Sequence, residues 1–238
     1  MRLNGNGAVQ MNRVSMILLS GGIGTRMRVS TPKQFLQIGG KPMIVHILER
    51  VEQIEEIQEI IIPSPRGFIE KTEEIIQRNQ FTKPIQVIEG GQTRQESTFK
   101  ALKQVTSPSV IIHEAVRPFI LKEEIERLIH SEADHATYGF EIPFTVLEGK
   151  EYVEKNLDRD RLINIQLPQK FSTEKLRSAH ERAAAEGEIF TEDVSLLFHY
   201  QKERVQVLQG TEYNIKITRP IDQKIGEIIY KDYILGGE

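Results

Sequence analysis

Apolar positions along the chain change period repeatedly, and each change marks an element. Met16–Ser20 falls in the run Val14-Ser15-Met16-Ile17-Leu18-Leu19, whose continuity predicts a strand buried on both faces. Lys41–Gln53 carries Met43, Ile44, Ile47, Leu48 and Val51 at helical spacing. Glu59–Pro63 holds Ile60-Ile61-Ile62, a short strand ended by proline, and Gly67–Asn79 returns to a helix with Phe68, Ile69, Ile75 and Ile76 on one side. The alternation continues through a strand at Ile85–Ile88, a helix at Thr93–Val105, a strand at Ser109–His113, a helix at Leu121–His130 with Ile125, Leu128 and Ile129 inward, and a strand at Tyr138–Pro143. Gly39-Gly40-Lys41, followed by Pro42, reads as a turn before a helix.

Between Thr145 and Gln166 the rhythm breaks. This stretch is charged, with Tyr152 and Val153 flanked by glutamates and then Asp158-Arg159-Asp160-Arg161, and it predicts a projecting hairpin or an exposed loop. An excursion of this length in a compact domain is usually functional or an interface. Helical spacing resumes at Glu174–Glu186, capped by Ser172-Thr173, and a further helix runs to Tyr200 with Thr191-Glu192-Asp193 as its cap. Val205–Leu208 and Ile215–Thr218 predict late strands, and Pro220 to Tyr230 a closing helix. The charged stretch Glu52 to Glu59 reads as a wet helix face.

Such βαβα alternation predicts an α/β fold: a mostly parallel sheet with helices on both faces, a Rossmann-like three-layer sandwich. In such sheets ligands lie at the carboxyl ends of the strands. Gly21-Gly22, Gly90-Gly91 and His113-Glu114 all fall at such ends. The expected organisation is a flexible lead-in over residues 1–13 and one domain over 14–238, with a projecting β-arm at 145–166.

Composition narrows the chemistry. With 238 residues, 39% hydrophobic and 27% charged, the chain suits one large domain. A formal net charge of −3 argues against general attraction to nucleic acid or an anionic membrane. No cysteine is present, which excludes disulfides, thiolate metal sites and cysteine nucleophiles. The polar N-terminal residues lack a signal-peptide pattern, no apolar stretch reaches membrane-span length, and a cytoplasmic enzyme is expected. The six histidines show no metal-binding spacing: His130 and His135 are out of phase for one helical face.

Ser20-Gly21-Gly22-Ile23-Gly24-Thr25-Arg26-Met27 follows the first strand, and Thr31-Pro32-Lys33-Gln34-Phe35-Leu36 comes shortly after. Glycines let backbone N–H groups approach phosphate oxygens, and Arg26 and Lys33 supply charge to neutralise them. A Walker loop is absent, and strand two ends in Pro63-Ser64-Pro65 where a dinucleotide fold needs an acid. The remaining reading is a nucleoside triphosphate held largely by cations.

The string GGIGTRM…TPKQFL resembles the signature of the 2-C-methyl-D-erythritol 4-phosphate cytidylyltransferases and their relatives, the D-ribitol 5-phosphate cytidylyltransferases. Four further segments fall in family order: Gly90-Gly91-Gln92-Thr93-Arg94-Gln95-Glu96-Ser97, His113-Glu114-Ala115-Val116-Arg117-Pro118, Gln166-Leu167-Pro168-Gln169-Lys170-Phe171 and Asn214-Ile215-Lys216-Ile217-Thr218. The resemblance implies transfer of CMP from CTP to a polyol phosphate, 2-C-methyl-D-erythritol 4-phosphate first, with release of pyrophosphate. It implies Arg26 and Lys33 as catalytic cations. Leu19, Ser20, Gly21, Gly22, Gly24, Gly90, Gly91, Arg94, Ser97, Glu114 and Ala115 would bind CTP, with Gly90-Gly91 and the Ser97 hydroxyl reading the cytosine. Arg159, Lys216 and Thr145 would take the acceptor phosphate. Magnesium is the implied cofactor, with Glu114 its candidate ligand, and a homodimer through the arm is the implied assembly.

Two family features differ. Leu167 replaces the usual threonine, and the Asp-Thr pair common after the fifth strand is missing near Pro143-Phe144-Thr145-Val146. The nucleotide half of the site thus reads as intact and the acceptor half as altered. The rival readings are D-ribitol 5-phosphate or another surface-polymer precursor as acceptor, and a nucleotide-binding regulator without turnover.

Overall fold

The structure is a computed structural model that describes residues 13–21 and 32–236. Its strands are β1 (Val14–Leu19), β2 (Gln37–Ile38), β3 (Lys41–Pro42), β4 (Ile57–Ser64), β5 (Ile85–Glu89), β6 (Ser109–Glu114), β7 (Ala136–Glu141), β8 (Leu147–Gly149), β9 (Val153–Asn156), β10 (Ile163–Ser172) and β11 (Gln206–Gln209). The helices are α1 (Met43–Glu52), α2 (Ile69–Asn79), α3 (Arg94–Leu102), α4 (Lys122–Ile129), α5 (Thr173–Glu186), α6 (Asp193–Gln201) and α7 (Pro220–Ile229), the last continued by a π-helical turn, Tyr230–Leu235.

One seven-stranded sheet, in the order β11-β7-β10-β6-β1-β4-β5, forms the middle layer. β1 pairs in parallel with β4 and β6, β4 with β5, and β7 with β11; β10 alone runs against both its neighbours. The buried run of β1 explains the three layers. Val14, Met16 and Leu18 enter one core with Ile44, Ile47 and Leu48 of α1 and Ile125 and Leu128 of α4. Ile17 and Leu19 enter the opposite core with Leu102 of α3, Leu176 of α5 and Leu196 of α6. The period of two puts neighbouring residues on opposite faces, and each fully buried side chain contributes about 1.5–3 kcal/mol.

Most expected elements are present, and the differences have physical reasons. β10 was not anticipated. The chain leaves β7, makes the β8–β9 hairpin and returns, and such a return produces antiparallel pairing. Ile215–Thr218 is not a strand: Ile217 N–H donates to the Val116 carbonyl, and the Ile217 side chain fills a third small core with Ile38, Met43 and Phe119. The expected cap of α6 does not form through a side chain, because Asp193 is turned inward. The charged stretch 52–59 is not one helix, since α1 ends at Glu52 and β4 begins at Ile57; the Glu59 carboxylate accepts from Ser15 and Thr106. The Gly39-Gly40 turn links β2 to β3, and a Cβ on Gly39, already at φ +56°, would stand 2.0 Å from the Tyr230 ring.

Candidate active site

β1 and β6 lie side by side and end together, Leu19 opposite Glu114. Beyond these carboxyl ends lies a cavity of about 270 Å³. Leu19, Ser20, Gly21, Lys33, Gly91, Arg94, Ser97, Glu114 and Lys216 line it, together with Gln34, Gln92, Thr93, Val116 and Ile217.

Lys33 opens a short 3-10 turn, Lys33–Phe35, and is only 7% exposed. Its ammonium donates to the Thr218 carbonyl at 2.9 Å. Gln34 Nε2 donates to the Ser20 carbonyl at 2.6 Å and thereby ties this turn to the end of β1. The turn's position follows from that hydrogen bond and from burial of Phe35.

Glu114 is the electrostatic centre of the wall. Oε1 meets Lys216 Nζ at 2.8 Å and Arg94 Nε at 3.7 Å, and Oε2 meets Arg117 Nε at 3.3 Å. Burial alone would raise this carboxyl's pKa; the Lys216, Arg117 and Arg94 charges outweigh that and hold it below its ordinary value. Arg117 braces the site, since Nη1 donates to the Asn214 carbonyl at 2.9 Å. Behind Glu114, Arg94 Nη1 pairs with Asp193 at 2.6 Å and Nη2 with Glu192 at 3.2 Å. Burial works against the Arg94 charge, but Asp193, Glu192 and Glu114 together raise its pKa. Arg94 therefore has both terminal nitrogens paired with carboxylates, while its buried Nε lies 3.7 Å from Glu114 without a hydrogen-bond partner among the described residues; it shapes the wall.

The Gly90–Ser97 loop is braced from within. Gly90 N–H donates to Ser64, Gly91 N–H to Ser97 Oγ at 2.9 Å, and Gln92 N–H to Glu96 at 2.7 Å. Ser97 Oγ in turn donates to the Thr93 carbonyl at 2.9 Å, and Thr93 Oγ1 caps α3 by accepting from Glu96 N–H. A Cβ on Gly91 would lie 2.4 Å from the Glu96 side chain, so only glycine fits this turn. The loop offers the cavity a fixed shape.

The remaining expected site residues are placed as follows. Gly90 and fully buried Ala115, whose N–H donates to Leu19, stand just behind the lining. Gly22, Gly24 and Arg26 lie outside the described residues. Arg159 and Thr145 are exposed on the arm, away from the cavity wall; Arg159 donates to the Pro143 carbonyl at 3.0 Å. Leu167 is buried in the core shared by α3, α5 and α6, so its apolar side chain is not a cavity-lining group. Gln34, Glu192, Asp193 and His180 take part in or behind the wall and were not singled out from the sequence. The only signal for Asp193 was an acidic pair at a helix start, which fits a cap equally well.

Among the described residues Glu114 is the one carboxylate in the cavity lining, and three cations already surround it. Among the described residues no group of three His, Cys, Asp or Glu could hold a metal ion. These residues therefore do not build a metal site of their own. Among them, too, no helix is long and apolar enough to cross a membrane.

Buried cations and a glycine turn around a cavity of this size, beyond the carboxyl ends of the central strands β1 and β6, suit a phosphorylated ligand, as in nucleotide-binding proteins of the α/β class. Comparison with known proteins narrows that class. The sequence pattern of 2-C-methyl-D-erythritol 4-phosphate cytidylyltransferase matches residues 14–232, and the chain belongs to that family. A relative from Halalkalibacterium halodurans bearing that name is 33% identical over 220 residues, covering 90% of this chain and 96% of the relative. A chloroplastic one from Oryza sativa subsp. japonica is 32% identical over 226 residues, covering 92% of this chain and 75% of the relative. The crystal structure of 4-diphosphocytidyl-2C-methyl-D-erythritol synthase from Anaerococcus prevotii superimposes with a TM-score of 0.81 at 27% identity, covering 93% of this chain and all of that one (100%).

Proposed function

We propose that this chain transfers CMP from CTP to 2-C-methyl-D-erythritol 4-phosphate and releases pyrophosphate. The observation that carries the reading is the meeting of Lys33, Glu114 and Lys216 around one cavity at the sheet edge, in a chain of this family. An acceptor phosphate oxygen attacks the α-phosphorus of CTP. The new P–O bond forms as the α–β bridging bond breaks, and the electron pair leaves with pyrophosphate. Charge grows on the phosphorus and the leaving group, and the enzyme needs no covalent intermediate. Positioning and fixed cations supply the rate.

Lys33 and Arg26 stabilise that charge. The ends of β1 and the Gly91–Ser97 turn hold the nucleotide, and the rigid turn presents carbonyl groups to the cytosine amino group. Lys216 exchanges the Glu114 carboxylate for the acceptor phosphate. Magnesium would enter with the triphosphate and offset part of its charge, and Glu114 is the cavity-lining carboxylate that would reach it. The arm holds Phe144, Tyr152 and Val153 at 75%, 82% and 69% exposure, which supports a homodimer in which the arm covers these groups and brings Arg159 and Thr145 to the acceptor phosphate. The enzyme is expected in the cytoplasm.

Pyrophosphate release from CTP with magnesium, measured against 2-C-methyl-D-erythritol 4-phosphate, D-ribitol 5-phosphate and further polyol phosphates, tests the reading. Fastest turnover on the methylerythritol phosphate is expected. Faster turnover on ribitol phosphate would reassign the acceptor, and CTP binding without turnover on any acceptor would make the chain a regulator.

A further inference from the structure

The cavity wall continues inward as a chain of paired groups that ends at His180 of α5. Lys216 is 38% exposed at its side chain and faces the cavity, whereas Glu114 behind it is 7% exposed. Arg94 approaches Glu114 from the other side, and its Nη1 is held at 2.6 Å by Asp193, itself 1% exposed. The second Asp193 oxygen, Oδ1, pairs with His180 Nε2 at 2.9 Å. His180 is buried and stacks on Phe99 of α3, with ring centroids 5.8 Å apart at 9°. A carboxylate buried this deeply is costly unless its partners are well placed. Arg94 holds one of its oxygens and His180 the other, so moving either leaves that oxygen without its partner. The guanidinium position, and through it the Glu114 position, is thus set from the core between α3, α5 and α6.

We propose that Asp193 and His180 are positioning residues for the transfer, which act by fixing Arg94 so that Glu114 can release Lys216 to a substrate phosphate. Glu114 Oε1 is shared between Lys216 and the more distant Arg94. When an incoming phosphate takes the ammonium, the carboxylate must keep compensating charge. Arg94 and Arg117 supply it only if Arg94 stays in place. Without Asp193, the guanidinium is free to follow Glu192 away from Glu114, and Glu114 then keeps Lys216 as its main partner. This inference rests on the proposed reading for the identity of the phosphate, and on geometry alone for the link between Asp193 and Glu114.

The test is a double-mutant cycle with Asp193→Asn and Lys216→Met, reading kcat/KM for 2-C-methyl-D-erythritol 4-phosphate. Asp193→Asn alone is expected to cost about tenfold or more, and less than threefold in the Lys216→Met background. An equal cost in both backgrounds overturns the proposal, because a general structural role would not depend on Lys216. His180 gives an independent arm if Asp193→Asn folds poorly. His180→Gln keeps an N–H near the Nε2 position and should retain activity within about threefold, while His180→Leu should fall with Asp193→Asn; equal losses for the two overturn it. A crystal structure of either damaging variant decides the geometric link without turnover. Displacement of Arg94 away from Glu114, with the Glu114–Lys216 contact kept, is expected, and an Arg94 that stays in place overturns the proposal. Absence of turnover in the unmutated enzyme would instead sink the functional reading, and the crystallographic arm would still stand.

Discussion

The cavity wall and the arm carry similar residues in opposite surroundings. At the wall, Lys33, Arg94, Glu114 and Arg117 are buried or nearly so, and each has a defined partner. On the arm, Arg159 is half exposed and, among the described residues, pairs with its own sequence neighbour, Asp160, while Tyr152 and Val153 point into solvent. Exposed pairs of that kind contribute little, about 0–1 kcal/mol, whereas breaking a buried pair costs about 3–5 kcal/mol. The wall is therefore preorganised within one chain. The arm is not, and whatever it contributes to the acceptor depends on what covers it. A motif alignment weighs Lys216 and Arg159 alike; the structure separates them.

Substitutions can break or sharpen this contrast. The largest effect is expected under the wall. Ile112 of β6 is fully buried beside Leu167, and Ile112→Ala should lower unfolding stability by about 2–5 kcal/mol in urea titration. Next, Lys33→Met should reduce kcat/KM for pyrophosphate release at least 100-fold, since one preorganised donor contributes about 3 kcal/mol. A change under threefold would remove Lys33 from the chemistry. Lys216→Met should raise the acceptor KM, with a loss of about 1.5–3 kcal/mol for a hydrogen bond to a charged group, and leave CTP affinity measured by calorimetry nearly unchanged.

A smaller effect is a pH dependence from the wall's buried imidazole. Burial pushes the His113 pKa down to about 4 from 6.5. The unfolded chain therefore binds a proton that the folded chain refuses, so stability falls as pH drops from about 6.5 to about 4 and levels below that. The slope for one proton is at most about 1.4 kcal/mol per pH unit, and His113→Gln should remove that increment from denaturation curves measured across the window. The smallest stability effect belongs to the arm. Tyr152→Ala and Val153→Ala should change stability by about 0.5 kcal/mol or less, yet shift the oligomer toward monomer in sedimentation. Stability losses as large as that of Ile112→Ala would show that the arm is part of the chain's own core.

Much of this layout was readable from apolar spacing. The buried run of β1, the isoleucines of β4 and the one-sided stripe of α4 each point to a single local structure, and all were found close to their expected bounds. β10 escaped because its pattern is short: Ile163-Asn164-Ile165-Gln166-Leu167 alternates over three apolar positions before Pro168 interrupts it. Ile215-Lys216-Ile217 alternates like a strand, but its environment is a loop with one backbone bond to Val116, and what it delivers is the Lys216 ammonium. Lys33, Glu114 and Lys216 could be expected to meet, because their motifs sit at strand ends or match the family in order. The partnership of Arg94 with Asp193 could not, since those residues stand 99 positions apart and nothing local in either segment names the other.

Soaking crystals with CTP tests the central claim most directly. The account predicts phosphate oxygens within hydrogen-bonding distance of the Lys33 ammonium, with the cytosine ring against the Gly91–Ser97 turn. A nucleotide bound elsewhere, with no phosphate oxygen near the Lys33 ammonium, would contradict it.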